Sequence, residues 1–134
     1  MLETTMYLKL NDLLPFIMFQ RIETTTGLGV PDIIYGHKLI QGWIELKELK
    51  QMPRKVANIP WRPGQLAWHH DYKFKYNNAM PYYLILTIDD YWYIIPDIKA
   101  QYTIEELTRW YICTTSELTK NKLHIKKILL KEYR

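Results

Sequence analysis

The stretch GVPDIIYGHKLIQGWIELK, residues 29–47, contains two apolar runs separated by a turn-like Gly-His-Lys segment, which predicts two neighbouring strands. Residues i and i+2 of a strand share a face, so Glu45 and Lys47 should project together. Asp32 lies on the partner strand, and antiparallel pairing can bring its carboxylate close to that of Glu45. Either the stretch is a surface hairpin with ordinary charges, or these three polar side chains converge on one site.

Convergence would create a site for metal-assisted chemistry. Two carboxylates a few Å apart repel each other unless a cation lies between them. Mg²⁺ prefers oxygen ligands and keeps several waters, so two carboxylates and a substrate phosphate suit Mg²⁺ or the similar Mn²⁺. The ammonium of Lys47 can hold a water and offset charge that grows on a phosphate. A Glu-x-Lys triplet alone is a weak signal, because ELKELK also fits an amphipathic helix with solvated charges.

The remaining sequence predicts a mixed α/β domain. Apolar spacing over 2–14 predicts a helix that ends before Pro15. A second helix should open at Pro63 and a third should span 104–113, whereas the tail from Glu117 fits either a helix or a strand. Strands are predicted at 16–24, 30–35, 39–49, 81–88 and 91–97, with a turn at 24–29, a loop over 51–62 and a hairpin turn at Asp89-Asp90. We therefore expect a single domain over residues 1–134, with a small mixed β-sheet flanked by α-helices.

Composition excludes several classes of protein. The chain has 134 residues, 48% of them hydrophobic, and a net charge of +4, which fits a folded protein that can bind nucleic acid. Cys113 is the lone cysteine, so no intrachain disulfide and no cysteine-based zinc site is expected, and it should be a core residue. No Walker loop or dinucleotide fingerprint occurs, so no nucleotide cofactor is expected. No signal peptide or membrane-length apolar run occurs, which predicts a cytoplasmic protein.

GVPDII followed by GWIELK resembles the PD-(D/E)XK nuclease superfamily, and more closely the small virus-type VRR-NUC and Holliday-junction-resolvase-like nucleases. The resemblance covers roughly residues 20–75 and implies a restriction-endonuclease-like core. It implies that Asp32 and Glu45 bind the metal ion, that Lys47 faces the water and the phosphate, and that Gln65 in RPGQLAW supports them. It also implies an acidic metal ligand on the first helix, for which we select Glu3, with Asp12 and Glu23 as alternatives.

Basic and aromatic residues follow this motif directly. Side chains of this type beside a hydrolytic centre would contact phosphates that flank the scissile bond. His69 and His70 are adjacent on the second predicted helix and point about 100° apart, so a zinc site is not expected, although one of them could touch a phosphate. Lysines of the tail (Lys120, Lys122, Lys126, Lys127 and Lys131, with Arg134) form a charged outer face, a second phosphate contact or a dimer edge. The predicted DNA-binding residues are Lys50, Arg54, Lys55, Trp61, Arg62 and His69.

These features predict a Mg²⁺- or Mn²⁺-dependent DNA endonuclease that acts on branched DNA as a homodimer, in a viral or bacterial host cytoplasm. Because the chain is small, it has little surface for reading bases. Recognition of DNA shape is therefore favoured over recognition of sequence. Two alternatives stay open. One is a non-catalytic nucleic-acid-binding module on a nuclease-like scaffold, and the other is a sequence-specific restriction or homing nuclease.

Overall fold

The fold is seen in a computed structural model that describes residues 1–22, 29–76 and 80–131. The helices are α1 (Glu3–Leu13), α2 (Gln65–Tyr76), α3 (Ile104–Trp110) and α4 (Lys122–Leu129), with a 3₁₀ turn at Thr115–Glu117. The strands are β1 (Met18–Arg21), β2 (Ile33–His37), β3 (Ile40–Leu49), β4 (Val56–Asn58), β5 (Tyr82–Ile88), β6 (Tyr91–Ile95), β7 (Gln101–Thr103) and β8 (Tyr111–Thr114).

Six strands form one mixed sheet in the order β1-β2-β3-β5-β6-β8. Strands β3 and β5 pair in parallel, and the other neighbours pair antiparallel. The crossover between β3 and β5 contains β4 and α2, because parallel neighbours need a long connection. Strand β4 pairs with β7 in a separate two-stranded ribbon. The mixed sheet flanked by helices confirms the predicted architecture.

Each face of the main sheet has its own apolar core. On one face, Met6 and Leu10 of α1 and Ile125 and Leu129 of α4 pack in the cluster that contains Ile44. On the other face, residues of α2, α3 and the β4–β7 ribbon pack around the alternate residues of β5 and β6. Strand β3 is buried from residue 44 to residue 47. Because strand faces alternate, Glu45 and Lys47 point away from Ile44, toward the layer that contains α2.

Two predicted segments were wrong. Helix α3 ends at Trp110, and Tyr111–Thr114 form edge strand β8 instead of continuing the helix to residue 113. Pairing with β6 places Cys113 opposite Trp92, which buries the thiol as predicted for a core residue. The predicted loop over 51–62 contains β4, which is defined by pairing with the distant β7 and has no local sequence signature.

Several boundaries follow local chemistry. The tail forms helix α4, which settles the alternative between helix and strand. Asp89 adopts φ +52 in the turn between β5 and β6, where aspartate tolerates the left-handed region. The predicted turn at 24–29 falls mostly outside the described residues, as does the end of the predicted strand 16–24. No helix in the described ranges combines the length and apolarity needed to cross a bilayer.

Candidate active site

The pairing of β2 with β3 places the two candidate metal-binding carboxylates side by side. Ile33 pairs with Ile44, so Asp32 precedes the paired segment beside Glu45. The backbone N–H of Asp32 donates to Glu45 Oε1 at 3.2 Å, and the N–H of Leu46 donates to Asp32 Oδ2 at 3.1 Å. Each carboxylate is therefore held by a backbone group of the other strand. The antiparallel hairpin does bring the predicted pair together.

The first residue of α2 completes this cluster. Gln65 Nε2 donates to Glu45 Oε2 at 2.9 Å, and both side chains have an exposed fraction of 0%. On its other side, Gln65 Oε1 accepts the backbone N–H of Arg62 at 2.8 Å. The amide is oriented by a donor on one side and an acceptor on the other, so it fixes the position of Glu45.

Two cationic side chains face the carboxylates. Lys47 Nζ lies 3.5 Å from Glu45 Oε2, and Arg62 Nη2 donates to Asp32 Oδ1 at 3.1 Å. Arg62 is 63% exposed at its side chain, so solvent weakens that ion pair and leaves it easy to displace. Lys47 also lies 5.8 Å from the ring centroid of Trp61, whose Nε1 donates to the carbonyl of Lys99 at 2.9 Å. Trp61 thus borders the ammonium and is itself anchored.

Electrostatics at the carboxylate pair favour a bound cation. Burial, followed by the negative charge of Asp32, raises the pKa of Glu45 to about 8, although Lys47 and Gln65 oppose that shift. A divalent cation between the two groups would offset both causes, because it replaces lost solvation and neutralises the repulsion. The donor set therefore fits a hard ion such as Mg²⁺, which Asp32 and Glu45 would hold.

The predicted third metal ligand, Glu3, lies near the carboxylate pair but does not form a three-residue metal-binding group with it. Burial and the charge of Asp32 raise the pKa of Glu3, while Lys47 and Arg62 lower it, which places Glu3 in the electrostatic field of the site. Across residues 1–22, 29–76 and 80–131, however, no three His, Cys, Asp or Glu side chains gather as a metal-binding group. Glu3 as a metal ligand stays a prediction.

Of the two alternatives to Glu3, Asp12 lies within the described residues and Glu23 does not. Asp12 is exposed at the opposite end of α1, in a depression shared with Lys9 and Lys122, so its placement argues against a role at the carboxylate pair. Glu23 lies outside the described residues.

The predicted DNA-binding residues divide into two groups. Lys50, Arg54 and Lys55 are exposed on the segment that leaves β3, and Arg62 and Trp61 border the site as described above. His69 differs, because its side chain is only 2% exposed and its ring packs edge-on to Tyr82 at 4.3 Å. Burial lowers the pKa of His69 to about 4, with a smaller effect from Lys73. This placement argues against the predicted phosphate contact of His69.

One positioning contact escaped the sequence analysis. A Cβ added to Gly29 would lie 2.3 Å from the carbonyl oxygen of Gly64, next to the start of α2. The RPG segment before Gln65 predicted only a turn into a helix, and no local pattern indicated that its glycine meets Gly29. This contact joins the segment that leads to Asp32 with the loop that leads to Gln65.

The architecture is similar to that of a known nuclease. Hjc, a Holliday junction resolvase from Archaeoglobus fulgidus, matches with a TM-score of 0.55 and 15% sequence identity, over 88% of this chain and 95% of that chain. No protein-family model matches the sequence, and no curated protein matches it significantly. The chain therefore has a mixed α/β fold like that of Hjc, which confirms the expected restriction-endonuclease-like core.

Proposed function

We propose that this protein is a divalent-metal-dependent DNA endonuclease that selects branched DNA. The observation that carries this proposal is the convergence of Asp32, Glu45, Lys47 and Gln65 on one buried spot. The Hjc-type fold supports it, since a resolvase with that fold acts on Holliday junctions. Burying two adjacent carboxylates is costly for stability, so the pair is more readily explained by a task than by packing.

Each residue has a role that follows from its position. Asp32 and Glu45 would hold Mg²⁺ or Mn²⁺, which supplies a positive charge for the reacting phosphate and lowers the pKa of bound water. Lys47 holds the attacking water and offsets the charge that develops on the phosphate. Gln65 fixes the Glu45 carboxylate in the orientation needed for binding. Hydrolysis then joins the water oxygen to phosphorus and breaks the bond to the 3′ oxygen, which leaves as a hydroxyl.

Residues around the site suggest how DNA is held. Lys50, Arg54, Lys55 and Arg62 would bind backbone phosphates on either side of the cleaved one, with Trp61 beside them. Phosphate contacts of this kind carry no base sequence, so they fit recognition by shape. A homodimer would place two such sites symmetrically on a branched substrate with two-fold symmetry.

The proposal is tested by incubating purified protein with labelled four-way junction, linear duplex and single-stranded DNA, each in Mg²⁺, Mn²⁺ or EDTA. We expect metal-dependent cuts, most rapid on the junction, that are lost in Glu45→Ala. Glu48→Gln is the matched control, because Glu48 lies on the same strand and pairs with the N-terminal amine of Met1 at 3.0 Å. Cutting that survives in Glu45→Ala, or that persists in EDTA, would contradict the assignment.

A second candidate is a non-catalytic DNA-binding module. The observation that favours it is that both carboxylates already have internal partners, since Arg62 meets Asp32 while Lys47 and Gln65 meet Glu45. Such a cluster could be a structural remnant. The same incubation separates the two candidates, because a binding module would retain DNA in EDTA and cut nothing in either metal.

A further inference from the structure

A basic groove lies at the opposite end of β2 from the carboxylate pair. We define it by Phe16 after α1, His37 and Lys38 at the β2–β3 turn, and Lys120, Lys122 and Lys126 of the α4 region. Two segments that are distant in sequence therefore place their lysines around one depression, and a third segment contributes the Phe16 ring. The lysines of the tail stand out in the sequence, but no local pattern joins them to the β2–β3 turn.

The floor of this basic groove is ordered by contacts around an exposed aromatic ring. Phe16 is 41% exposed, and Lys126 Nζ lies 5.8 Å from its ring centroid. The ring of His37 packs edge-on to Phe16 at 5.5 Å, and its Nδ1 lies 3.0 Å from the Phe16 carbonyl oxygen. Phe16 thus joins the β2–β3 turn to α4 across the floor of the basic groove.

The described side chains that line the basic groove are basic or uncharged. None of the described residues that line the basic groove is acidic. Glu117 is the acidic residue close to Lys120, but its carboxylate accepts from the backbone N–H and the hydroxyl of Thr114, both at 2.9 Å. Asp12 lies in the neighbouring depression that shares Lys122. The surface is therefore suited to a ligand that carries a row of negative charges.

The backbone at Lys38 gives an independent indication. Lys38 has φ +54, a left-handed conformation that favours glycine or asparagine and costs a lysine about 1 kcal/mol. A turn that served only to join two strands would be more stable with one of those residues. Lys38 is exposed and is one of the residues that line the basic groove, so its ammonium is available to a ligand there.

The basic groove and the carboxylate pair lie at opposite ends of β2 and on opposite faces of the sheet. His37 shares a strand face with Ile33 and Tyr35, which pack against α4, whereas Glu45 points toward α2. A single straight duplex arm would therefore not follow both sites. The segment that reaches the basic groove would be a second arm of a branched DNA, which leaves the junction in another direction.

We propose that the basic groove is a second phosphate-binding surface, which holds a duplex arm of the DNA away from the site of cutting. The choice of DNA as ligand rests on the proposed function. Lys38, Lys120 and Lys122 make the phosphate contacts, and Phe16 with Lys126 forms the floor. This surface adds affinity and orients a DNA arm, and it takes no part in the chemistry.

The first test measures binding to a linear duplex in EDTA, so that no cutting is required. The groove variant is Lys38→Gln/Lys120→Gln/Lys122→Gln. Lys73→Gln/Lys75→Gln/Arg109→Gln removes the same charge elsewhere and is the matched control. Each lost phosphate contact should reduce the slope of log binding constant against log salt by about 0.9, so we expect a reduction of up to about 2.7 in the groove variant alone. Equal slopes in the two variants would overturn the proposal.

A second measurement uses the unmodified protein, so it does not depend on variants that fold. Lysine acetylation is compared by mass spectrometry with and without duplex DNA. Lys38, Lys120 and Lys122 should be protected by DNA, whereas Lys75, 66% exposed at its side chain on α2, should not. Unchanged acetylation of the three lysines would overturn the proposal, as would equal protection by polyglutamate at the same charge concentration.

The outcomes for the basic groove and for the proposed function can be told apart. If the groove variant alone lowers the salt slope but the wild type cuts no DNA in Mg²⁺ or Mn²⁺, the proposed nuclease function is refuted and the proposed phosphate-binding surface is supported. If the wild type cuts DNA but the groove and control variants have equal salt slopes, the phosphate-binding surface is refuted and the nuclease function is supported.

Discussion

Gly29 and Gly64 meet so closely that a methyl group on Gly29 would lie 2.3 Å from the Gly64 carbonyl oxygen. Both residues have positive φ, +81 for Gly29 and +88 for Gly64. The contact brings the segment before Asp32 against the loop before Gln65, so it sets how the hairpin carboxylates and the helix amide face each other. Two glycines without side chains thus determine the geometry of the site.

Substituting Gly29 tests this relationship. Gly29→Ala would combine an unfavourable φ with a clash against backbone atoms, and we expect it to cost about 2–4 kcal/mol of unfolding free energy. Gly36→Ala is the matched control, because its nearest atom is the Ile40 carbonyl oxygen at 3.7 Å. Urea denaturation of the two variants checks the prediction. Similar midpoints would show that the loop relaxes without cost.

The pH dependence of stability reports on the carboxylate pair. The pKa of Glu45 is raised from 4.5 to about 8 by burial and by Asp32. Between these values the unfolded chain releases a proton that the folded protein keeps, so the metal-free protein should lose stability as pH rises through this window. The loss should be on the order of a few kcal/mol. In Glu45→Gln the loss should be much smaller, as measured by denaturation in EDTA across the window.

Metal binding should reverse that loss. A divalent ion binds the pair when both carboxylates, Asp32 and Glu45, are ionised. It should therefore raise the melting temperature most at the alkaline end of the window, where Glu45 has less proton to release. We expect Mg²⁺ or Mn²⁺ to stabilise the wild type and to have little effect on Asp32→Asn or Glu45→Gln. A shift of equal size in all three proteins would indicate that the metal binds elsewhere.

Lys47 and Lys50 should differ in the kinetic step they affect. Lys47→Met preserves the volume of a side chain only 5% exposed and removes the charge at the reacting phosphate, so we expect a loss in kcat of about 10²–10³ with DNA binding retained. Lys50→Met should weaken binding and lower the salt slope by about 0.9, with little effect on single-turnover cutting at saturation. A binding defect alone in Lys47→Met would contradict its catalytic role.

His69 should govern stability in acid. Its pKa is lowered to about 4 by burial, so between 6.5 and that value the unfolded chain takes up a proton that the folded protein does not. Stability from this residue is complete above 6.5 and declines as pH falls. His69→Phe keeps a ring against Tyr82 and should remove this decline, whereas His70→Phe, at an exposed position, should not. Denaturation at a series of acidic pH values checks the difference.

Local patterns predicted much of the fold and of the site. The two apolar runs around residue 36 define a hairpin whose register is enough to place Asp32 beside Glu45, because that pairing is local in the chain. The ribbon of β4 and β7 and the edge strand β8 depend on partners far along the sequence, and short segments without strong periodicity do not reveal such partners.

Burial distinguishes His69 from the other residues that were predicted to bind DNA. Trp68, His69 and His70 are consecutive in the sequence, and nothing in their order says which of the two imidazoles faces the sheet. The packing of α2 turns His69 inward against Tyr82 and leaves His70 exposed. Likewise, Trp61 is held at Lys47 by the carbonyl of Lys99, a contact across 38 residues that no local motif encodes.

The parallel pairing of β3 with β5 has a consequence for the order of folding. Asp32 and Glu45 are 13 residues apart and meet in a hairpin, which can form in about 1–10 μs, whereas β5 joins only after a long crossover has closed. We therefore expect the two carboxylates to meet before α2 delivers Gln65, so that the amide is added to a carboxylate pair already formed by local pairing.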